Sequence, residues 1–259
     1  MTDFTNLATL VAQGQSLLDL IQGGHITQLE ADNLAKLNEI DVDYAAKKAV
    51  WDAAIANSID YVPNIILTKN QNLFITSGSV PDDSALNSYA TTELVQTVTK
   101  SAPRTQTEID LLNEIQTDLQ TVFSGFDIRS GNDYVFGFNV IRLSWDFTAD
   151  PNASKWLFHM HGKSEHGIET QVASATTSAA FVKLESGALL HNNWGKGNAD
   201  GKWAYGNQVF PVAGGFGSYR NAIGIASSTI GSLLICLPAV VTGDISTDPD
   251  SLINAISLG

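Results

Sequence analysis

The chain has a single cysteine, Cys236, among 259 residues, which excludes an internal disulfide framework. Basic residues are also scarce, since 14 Lys and Arg stand against 27 Asp and Glu, for a net charge of −13. Nucleic-acid binding depends on clustered Lys and Arg, so we expect no nucleic-acid partner. The sequence has no apolar run of about 18 residues and no basic, apolar leader after Met1, which predicts synthesis in the cytoplasm without a transmembrane helix or signal peptide.

Motifs that identify common enzyme classes are missing as well. The sequence contains no Gly-x-Ser-x-Gly turn, no phosphate-binding glycine loop followed by Lys-Ser/Thr, and no His-Glu-x-x-His. The glycines around Phe216 form too short a run for a dinucleotide fingerprint, and they predict a loop. We therefore predict that the protein is not an enzyme.

Composition changes near Ser124-Gly125. Residues 1–124 contain 6 basic and 16 acidic residues but only 4 of the 21 glycines, whereas residues 125–259 contain 8 basic and 11 acidic residues and four of the five tryptophans. Helical periodicity dominates the first part, and short strands separated by glycine turns dominate the second. We predict an α+β protein with a helical, partly coiled-coil-like attachment and oligomerisation region (1–124) and a mostly antiparallel β-sandwich or barrel-like head domain (125–259).

Two helices are predicted at the start of the chain. Apolar residues recur at helical spacing over residues 4–22, and Gly23-Gly24 is expected to end this helix. Thr27 and Glu30 have the spacing of a capping box, which predicts a second helix to about residue 58. That helix carries an imperfect heptad stripe, interrupted by Lys47 and formed by Leu37, Ile40, Tyr44 and Trp51.

Two arrangements fit these helices. They form either an ordinary hairpin packed on the rest of the chain or a stalk that associates with copies of itself. The lack of a clear hydrophobic strand partner in this half favours the stalk. A further helix is predicted after Thr105 or Thr107, with a seam at heptad spacing formed by Glu108, Leu112, Ile115, Leu119 and Val122.

The second half predicts a series of strands. Aromatic and β-branched residues, alternation and continuous apolar runs indicate strands over residues 134–147, 155–161, 168–185 and 233–241, and near Trp203-Ala204-Tyr205. The end of the chain, from Thr247, is expected to be polar with one last helical turn.

Three of the five histidines lie within eight positions, at His159, His161 and His166. Residues i and i+2 of a strand face the same side, so His159 and His161 are expected to point together. With His166 and Glu165 they could hold zinc or iron within one chain, or in a trimer six imidazoles could form a cage on the axis. Alternatively these side chains face solvent or stack on neighbours, or act in catalysis, for which no activated nucleophile or paired carboxylate is evident.

Aromatic and amide residues cluster between positions 192 and 219. Aromatic faces stack on sugar rings and amides bond to hydroxyl groups, so this cluster predicts a receptor-binding surface on loops. Its alternative is that the large aromatic residues belong to the core. The candidate receptor-binding residues are Trp194, Asn198, Trp203, Tyr205, Phe216 and Tyr219.

The opening residues Met1–Leu10, the weak heptads, the Gly/Asn/Trp-rich C-terminal half and His159-Met160-His161 together resemble bacteriophage tail-fibre and receptor-binding proteins. The resemblance implies a homotrimer in the virion tail, whose helical part attaches to other tail proteins. Its β tip would bind a host-surface glycan or an outer-membrane receptor, and His-x-His would hold iron on the three-fold axis. Two alternatives are a metal-dependent hydrolase of surface polysaccharide and a capsid or tail adaptor without a receptor role.

Overall fold

Helix α1 (Thr2–Tyr61) is one uninterrupted helix of 60 residues in the computed structural model. The predicted end at Gly23-Gly24 is wrong, because glycine costs only about 1 kcal/mol per residue in a helix and keeps its backbone N–H group. Thr27, predicted as an N-cap, lies inside the helix, where its hydroxyl donates to the carbonyl oxygen of Gly23 at 2.9 Å. A rise of 1.5 Å per residue makes α1 about 90 Å long.

Side chains of α1 are exposed throughout its described part, from Phe4 to Asp52. Phe4 is 82% exposed and Trp51 is 69% exposed, which is unusual for large apolar side chains at helical spacing. The hairpin alternative is not formed, because Thr2–Tyr61 is one continuous helix. None of the described helices combines the length and apolar content that a membrane-spanning segment needs. The other exposed large apolar residues of α1 are Leu7, Leu10, Val11, Leu17, Leu18, Leu20, Ile21, Ile26, Leu29, Leu34, Leu37, Ile40, Val42, Tyr44 and Val50.

The chain separates into two units, Met1–Val62 and Pro63–Gly259. The structure describes residues 2–61, 64–100, 103–128, 136–163, 170–172, 175–190, 193–195, 201–211, 218–220 and 222–258. The elements of the second unit are β1 (Ser84–Leu86), β2 (Ala90–Val98), α2 (Gln106–Gln120), β3 (Phe138–Asp146), β4 (Trp156–Met160), β5 (Thr170–Val172), β6 (Thr176–Ser186), a 3₁₀ turn (Asn193–Gly195), β7 (Trp203–Phe210), β8 (Ser218–Arg220), β9 (Ala222–Ile225), β10 (Ile230–Thr242) and α3 (Pro249–Leu258).

The described strands form three sheets. A five-stranded sheet has the order β2-β3-β10-β6-β7, a three-stranded sheet the order β1-β4-β9, and β5 pairs with β8. Every pairing is antiparallel. The predicted α+β class, with a long N-terminal helix and an antiparallel C-terminal part, is confirmed. No sheet closes on itself among these strands, and the sandwich or barrel-like arrangement stays a prediction.

Residues 63–124 contribute to the second unit, so the structure places the boundary at Val62 rather than at the predicted Ser124-Gly125. β2 supplies an edge strand of the five-stranded sheet by pairing with β3. Helix α2 packs on that sheet, and its buried residues are Glu108, Leu112, Ile115 and Leu119. The change in composition marked the start of the glycine-rich strands, not the start of the unit.

Both faces of the five-stranded sheet are covered. Side chains of α2 and α3 share one apolar core with alternate residues of β6 and β10, and residues of β4 share a second core with the other alternate residues. The middle strand, β10, is therefore buried on both sides, as its continuous apolar run predicted. A bulge interrupts its pairing with β6 between Cys236 and Ala239, where Leu237 has a φ of 52°.

Helix α3 has 10 residues and extends the single last helical turn that was predicted for the polar end of the chain. Asp248 caps it, since its Oδ1 accepts a hydrogen bond from the Ser251 N–H at 3.3 Å. Pro249 begins the helix, a position where its missing N–H costs nothing. Leu252 and Ile256 are buried, four residues apart on one face, and this spacing was the signal for a core helix that the polar neighbours obscured.

Thr105, one of the two predicted caps, is the N-cap of α2, and with Glu108, which was predicted as a seam residue, it forms a capping box. The Glu108 carboxylate accepts hydrogen bonds from the Thr105 N–H at 2.7 Å, the Thr105 hydroxyl at 2.8 Å and the Thr99 N–H at 2.6 Å. Burial by itself would raise the pKa of Glu108, but these hydrogen bonds outweigh it and lower the pKa to about 2. The ionised carboxylate therefore joins the end of β2 to the start of α2.

Replacing Glu108 with Gln should lower the free energy of unfolding at neutral pH by about 1–3 kcal/mol, because hydrogen bonds to a charged acceptor are lost. Urea denaturation measures this change. The depressed pKa makes this stabilisation complete above pH 4.5 and removes it as the pH falls toward about 2. The difference between wild type and Glu108→Gln should shrink over that interval. Asp110→Asn, on the exposed side of α2, should change stability by less than about 0.5 kcal/mol; equal losses in both variants would contradict the role of Glu108.

Candidate functional site

A pocket of about 330 Å³ lies between the C-terminal end of α2 and the edge strand β7. Its walls are mostly apolar and aromatic, with polar groups from an amide, three hydroxyls, an ammonium and a carboxylate. We call it the α2–β7 pocket. Its lining residues are Asp118, Leu119, Thr121, Val122, Phe123, Lys202, Trp203, Ala204, Tyr205, Asn207 and Ser246.

Hydrogen bonds fix the polar parts of this pocket. Asp118 Oδ2 accepts the backbone N–H of Trp203 at 2.9 Å, which joins α2 to the first residue of β7. The Asn207 amide donates to the carbonyl oxygens of Tyr205 at 3.2 Å and Ser246 at 3.3 Å. Because strand and helix backbones hold these groups, the pocket is preformed in the chain.

Aromatic rings form the inner part of the pocket. Phe123 and Tyr205 meet edge to face with ring centroids 5.9 Å apart. Tyr205 is buried, and its hydroxyl donates to the carbonyl oxygen of Ile245 at 3.0 Å. Burial, assisted by Asp248 and Asp244, raises the pKa of Tyr205 above its ordinary value, so the phenol stays neutral. Trp203 is 2% exposed, and its indole N–H has no hydrogen-bond partner among the described residues.

Two of the predicted receptor-binding residues, Trp203 and Tyr205, thus lie together in one pocket. Both are buried, so they form its inner wall and do not offer a flat exposed surface. The sequence did not indicate Val122 and Phe123 as their neighbours, because the C-terminal end of α2 meets β7 only in the folded sheet. The predicted seam of α2 included Val122 as a core position, but Val122 follows the helix and is 76% exposed at the pocket.

Trp194 is a core residue. It is fully buried, and its ring lies 6.4 Å from that of Phe158 in the second apolar core. Glycines make room for it: a Cβ atom at Gly224 would lie 2.9 Å from the Trp194 ring, and one at Gly206 would lie 2.3 Å from its carbonyl oxygen. Burial contradicts the predicted exposure of Trp194 to a receptor, because large aromatic side chains fill cores when neighbouring backbones admit them.

The remaining predicted receptor-binding residues are not brought together by the described structure. Asn198 and Phe216 lie outside the described residues. The backbone of Tyr219 belongs to β8, where it pairs with Gln171 of β5. Receptor contact at these three positions stays a prediction.

His159 lies in β4, the central strand of the three-stranded sheet, and is 9% exposed. Its ring packs against that of Trp156, with centroids 4.5 Å apart. Neither ring nitrogen has a hydrogen-bond partner among the described residues. Burial, with a smaller contribution from the charge of His161, lowers the pKa of His159 to about 4, so its imidazole is neutral at pH 7.

His161 follows the end of β4 and is partly exposed. Its backbone N–H donates to the carbonyl oxygen of Asp83 at 2.8 Å, and its carbonyl oxygen accepts the Lys69 N–H at 2.9 Å. Within the described residues, no three side chains of His, Cys, Asp or Glu lie together as a metal site would require. The predicted further ligands, Glu165 and His166, lie outside the described residues.

The donor set fits a metal ion only in part. Two imidazoles of one described chain are fewer than the three protein ligands of most zinc sites. In addition, the ring nitrogens of His159 are buried within its own unit, so they do not face another copy across a three-fold axis. The iron or zinc site at His159 and His161 stays a prediction that the described geometry does not favour.

Replacing His159 with Phe tests the role of this imidazole. The substitution keeps a ring of similar shape against Trp156 and removes two buried nitrogens without partners, so it should raise the free energy of unfolding by about 1 kcal/mol. Thermal and urea denaturation of protein purified without chelator measure the change. A loss of more than about 2 kcal/mol, together with metal in the wild type and none in His159→Phe, would instead establish a ligand role. His161→Asn serves as the partly exposed control.

The chain was compared with known protein families, curated proteins and solved structures. No family model, curated protein or solved structure matches the chain.

Proposed function

We propose that the chain is a virion structural protein, a trimeric component of a tail fibre or tail tip. In this proposal α1 joins copies of the chain and attaches them to other tail proteins, and the second unit binds a glycan or protein on the host surface. The main support for this proposal is that large apolar side chains stay exposed along the described length of α1. A helix of this kind gains its stability by packing against another surface.

The spacing of apolar residues in α1 supports a trimer. Leu37, Ile40 and Tyr44 follow steps of three and four residues, and Trp51 lies one heptad beyond Tyr44, which makes Leu37 a position a and Ile40 a position d of a heptad. Leucine at a with isoleucine at d favours three or four strands over two. Tyr44 and Trp51, both exposed in the single chain, would be covered in the same seam.

Ahead of this second stripe in the chain, a first stripe of apolar residues supports attachment to a different protein. Three whole heptads beyond Leu18 lead to Glu39, not to Leu37. The first and second stripes therefore lie on different faces of the helix. Between Phe4 and Leu29 the only charged side chain is that of Asp19. A broad, nearly uncharged apolar face suits a groove on another tail protein. This first stripe consists of Phe4, Leu7, Val11, Leu18 and Ile21.

The α2–β7 pocket supports recognition by the second unit. Rings of Phe123 and Tyr205 offer apolar contact to a sugar ring, while Asn207 and Ser246 supply polar atoms at a fixed position. A pocket of about 330 Å³ admits a small terminal group and not a large flat surface. The ligand class that fits best is therefore one terminal sugar of a surface glycan.

Light scattering on the full chain after size-exclusion chromatography tests the association. We expect a mass three times the 27.7 kDa of one chain. Ile40→Asp should produce single chains, because it places a charge in the proposed seam. Leu20→Asp changes an exposed leucine that lies off both stripes, and it should keep the wild-type mass. A single-chain mass for the wild type at tens of micromolar would overturn the trimer.

Binding to an array of bacterial surface glycans tests the pocket. Val122→Glu places a charge at the pocket on a side chain that is already exposed, so it should abolish glycan binding without unfolding the protein. Ile230→Glu introduces the same charge at an exposed apolar residue, 58% accessible, that does not line the pocket, and it should bind as the wild type does. Wild-type binding by Val122→Glu would remove the pocket from the proposal.

A further inference from the structure

Charged residues flank the second apolar stripe of α1 in an alternating order. With Leu37 and Tyr44 at position a, the flanking positions g are Lys36 and Asp43. The flanking positions e, one residue after each position d, are Asp41 and Lys48. All four lie on the described, exposed part of α1. Along the chain, the residues at position g are therefore first basic and then acidic, whereas those at position e are first acidic and then basic.

In parallel helices that are in register, position g of one helix faces position e of the next heptad on its neighbour. This arrangement sets Lys36 against Asp41 of the next copy and Asp43 against Lys48 of the next copy. Both pairs have opposite charge. We propose that copies of α1 associate in parallel and in register through this seam, and that these two ion pairs select the register.

Other registers are penalised by the same charges. A slip of one heptad in one direction sets Lys36 against Lys48, and a slip in the other direction sets Asp43 against Asp41. Like charges at facing positions of a coiled coil cost free energy and exclude the mismatched pairing. The in-register alignment alone makes both contacts attractive.

Antiparallel pairing also loses one of the two contacts. Antiparallel helices place g beside g and e beside e. The alignment that sets Lys36 beside Asp43 leaves Asp41 beside Leu34, and the alignment that sets Asp41 beside Lys48 leaves Asp43 beside Val50. Charge complementarity is therefore complete only in the parallel arrangement.

Contacts within the single helix do not prevent these pairs. Lys36 bonds to Glu39 at 2.8 Å, Lys47 to Asp43 at 2.6 Å and Lys48 to Asp52 at 2.6 Å, all with exposed side chains. Exposed ion pairs of this kind contribute little stability, so their charged ends exchange partners at small cost. Lys47 is the charged residue at a position d, and its long apolar stem can lie in the seam while the ammonium stays beside Asp43.

This inference depends on the proposed association of α1, and disulfide cross-linking in the full chain separates the two. Leu37→Cys and Trp51→Cys are made separately, and the natural Cys236 is buried and does not compete. Parallel helices in register bring each new cysteine beside its own copy, so mild oxidation should give covalent dimers in both variants. Glu39→Cys, at the outward position c, should give none.

Light scattering on the same variants, under reducing conditions, shows whether a missing cross-link reflects a different register or a lack of association. Oligomers that cross-link at only one of the two positions, or at neither, would overturn the parallel register and leave the association proposal standing, because an antiparallel pair brings at most one position beside itself. Single chains in the wild type as well would overturn both proposals.

Charge exchange provides a second test that leaves the apolar seam intact. Asp41→Lys sets two lysines against each other and should weaken association, measured as a higher concentration at half-dissociation. Adding Lys36→Glu restores an attractive pair and should recover the wild-type concentration dependence. Asp32→Lys makes the same charge change at an outward position and should have no such effect. Failure of the double variant to recover would contradict the proposed ion pairs.

Discussion

Large apolar side chains stay exposed to water along the described part of helix α1 (Thr2–Tyr61). Burying a large aliphatic or aromatic side chain stabilises a protein by about 1.5–3 kcal/mol relative to leaving it in water. Helix α1 has many such side chains, and its described part buries none of them within the chain. Its weak glycine pair at Gly23-Gly24 adds to the need for an external surface. The proposed association would supply that surface.

The second unit differs from α1, because it buries apolar residues in two cores on the two faces of one sheet. Strand β10 (Ile230–Thr242) lies at the centre, and helices α2 (Gln106–Gln120) and α3 (Pro249–Leu258) cover one face. The α2–β7 pocket forms where α2 ends beside the edge strand β7 (Trp203–Phe210). A fixed sheet therefore positions the groups that the pocket presents.

Sequence patterns predicted the elements whose signals are local. A cap at Thr105 or Thr107 was predicted to begin α2, and Thr105 is the cap; the apolar run of β10 predicted a buried strand. Other features depend on the folded chain. The continuity of α1 through Gly23-Gly24 and the burial of Trp194 reflect backbone continuity and packing space, which residue spacing does not report.

The candidate site shows the same limit. Trp203 and Tyr205 were indicated by residue type, and the structure brings both into one pocket. Val122 and Phe123 were not indicated, because they approach β7 only through the packing of α2 on the sheet. His159 was conspicuous as part of a His-x-His pair, yet its buried ring packs against Trp156 in the manner of a core residue.

Amide hydrogen exchange of the full chain at two protein concentrations tests whether association stabilises α1. If association stabilises α1, amides between Leu37 and Trp51 should exchange slowly when the protein is concentrated and rapidly after dilution to single chains. Amides of β10 should stay slow under both conditions, because they lie within one unit. Slow exchange of the α1 amides in chains shown to be single, or rapid exchange at every concentration, would contradict stabilisation of α1 by association.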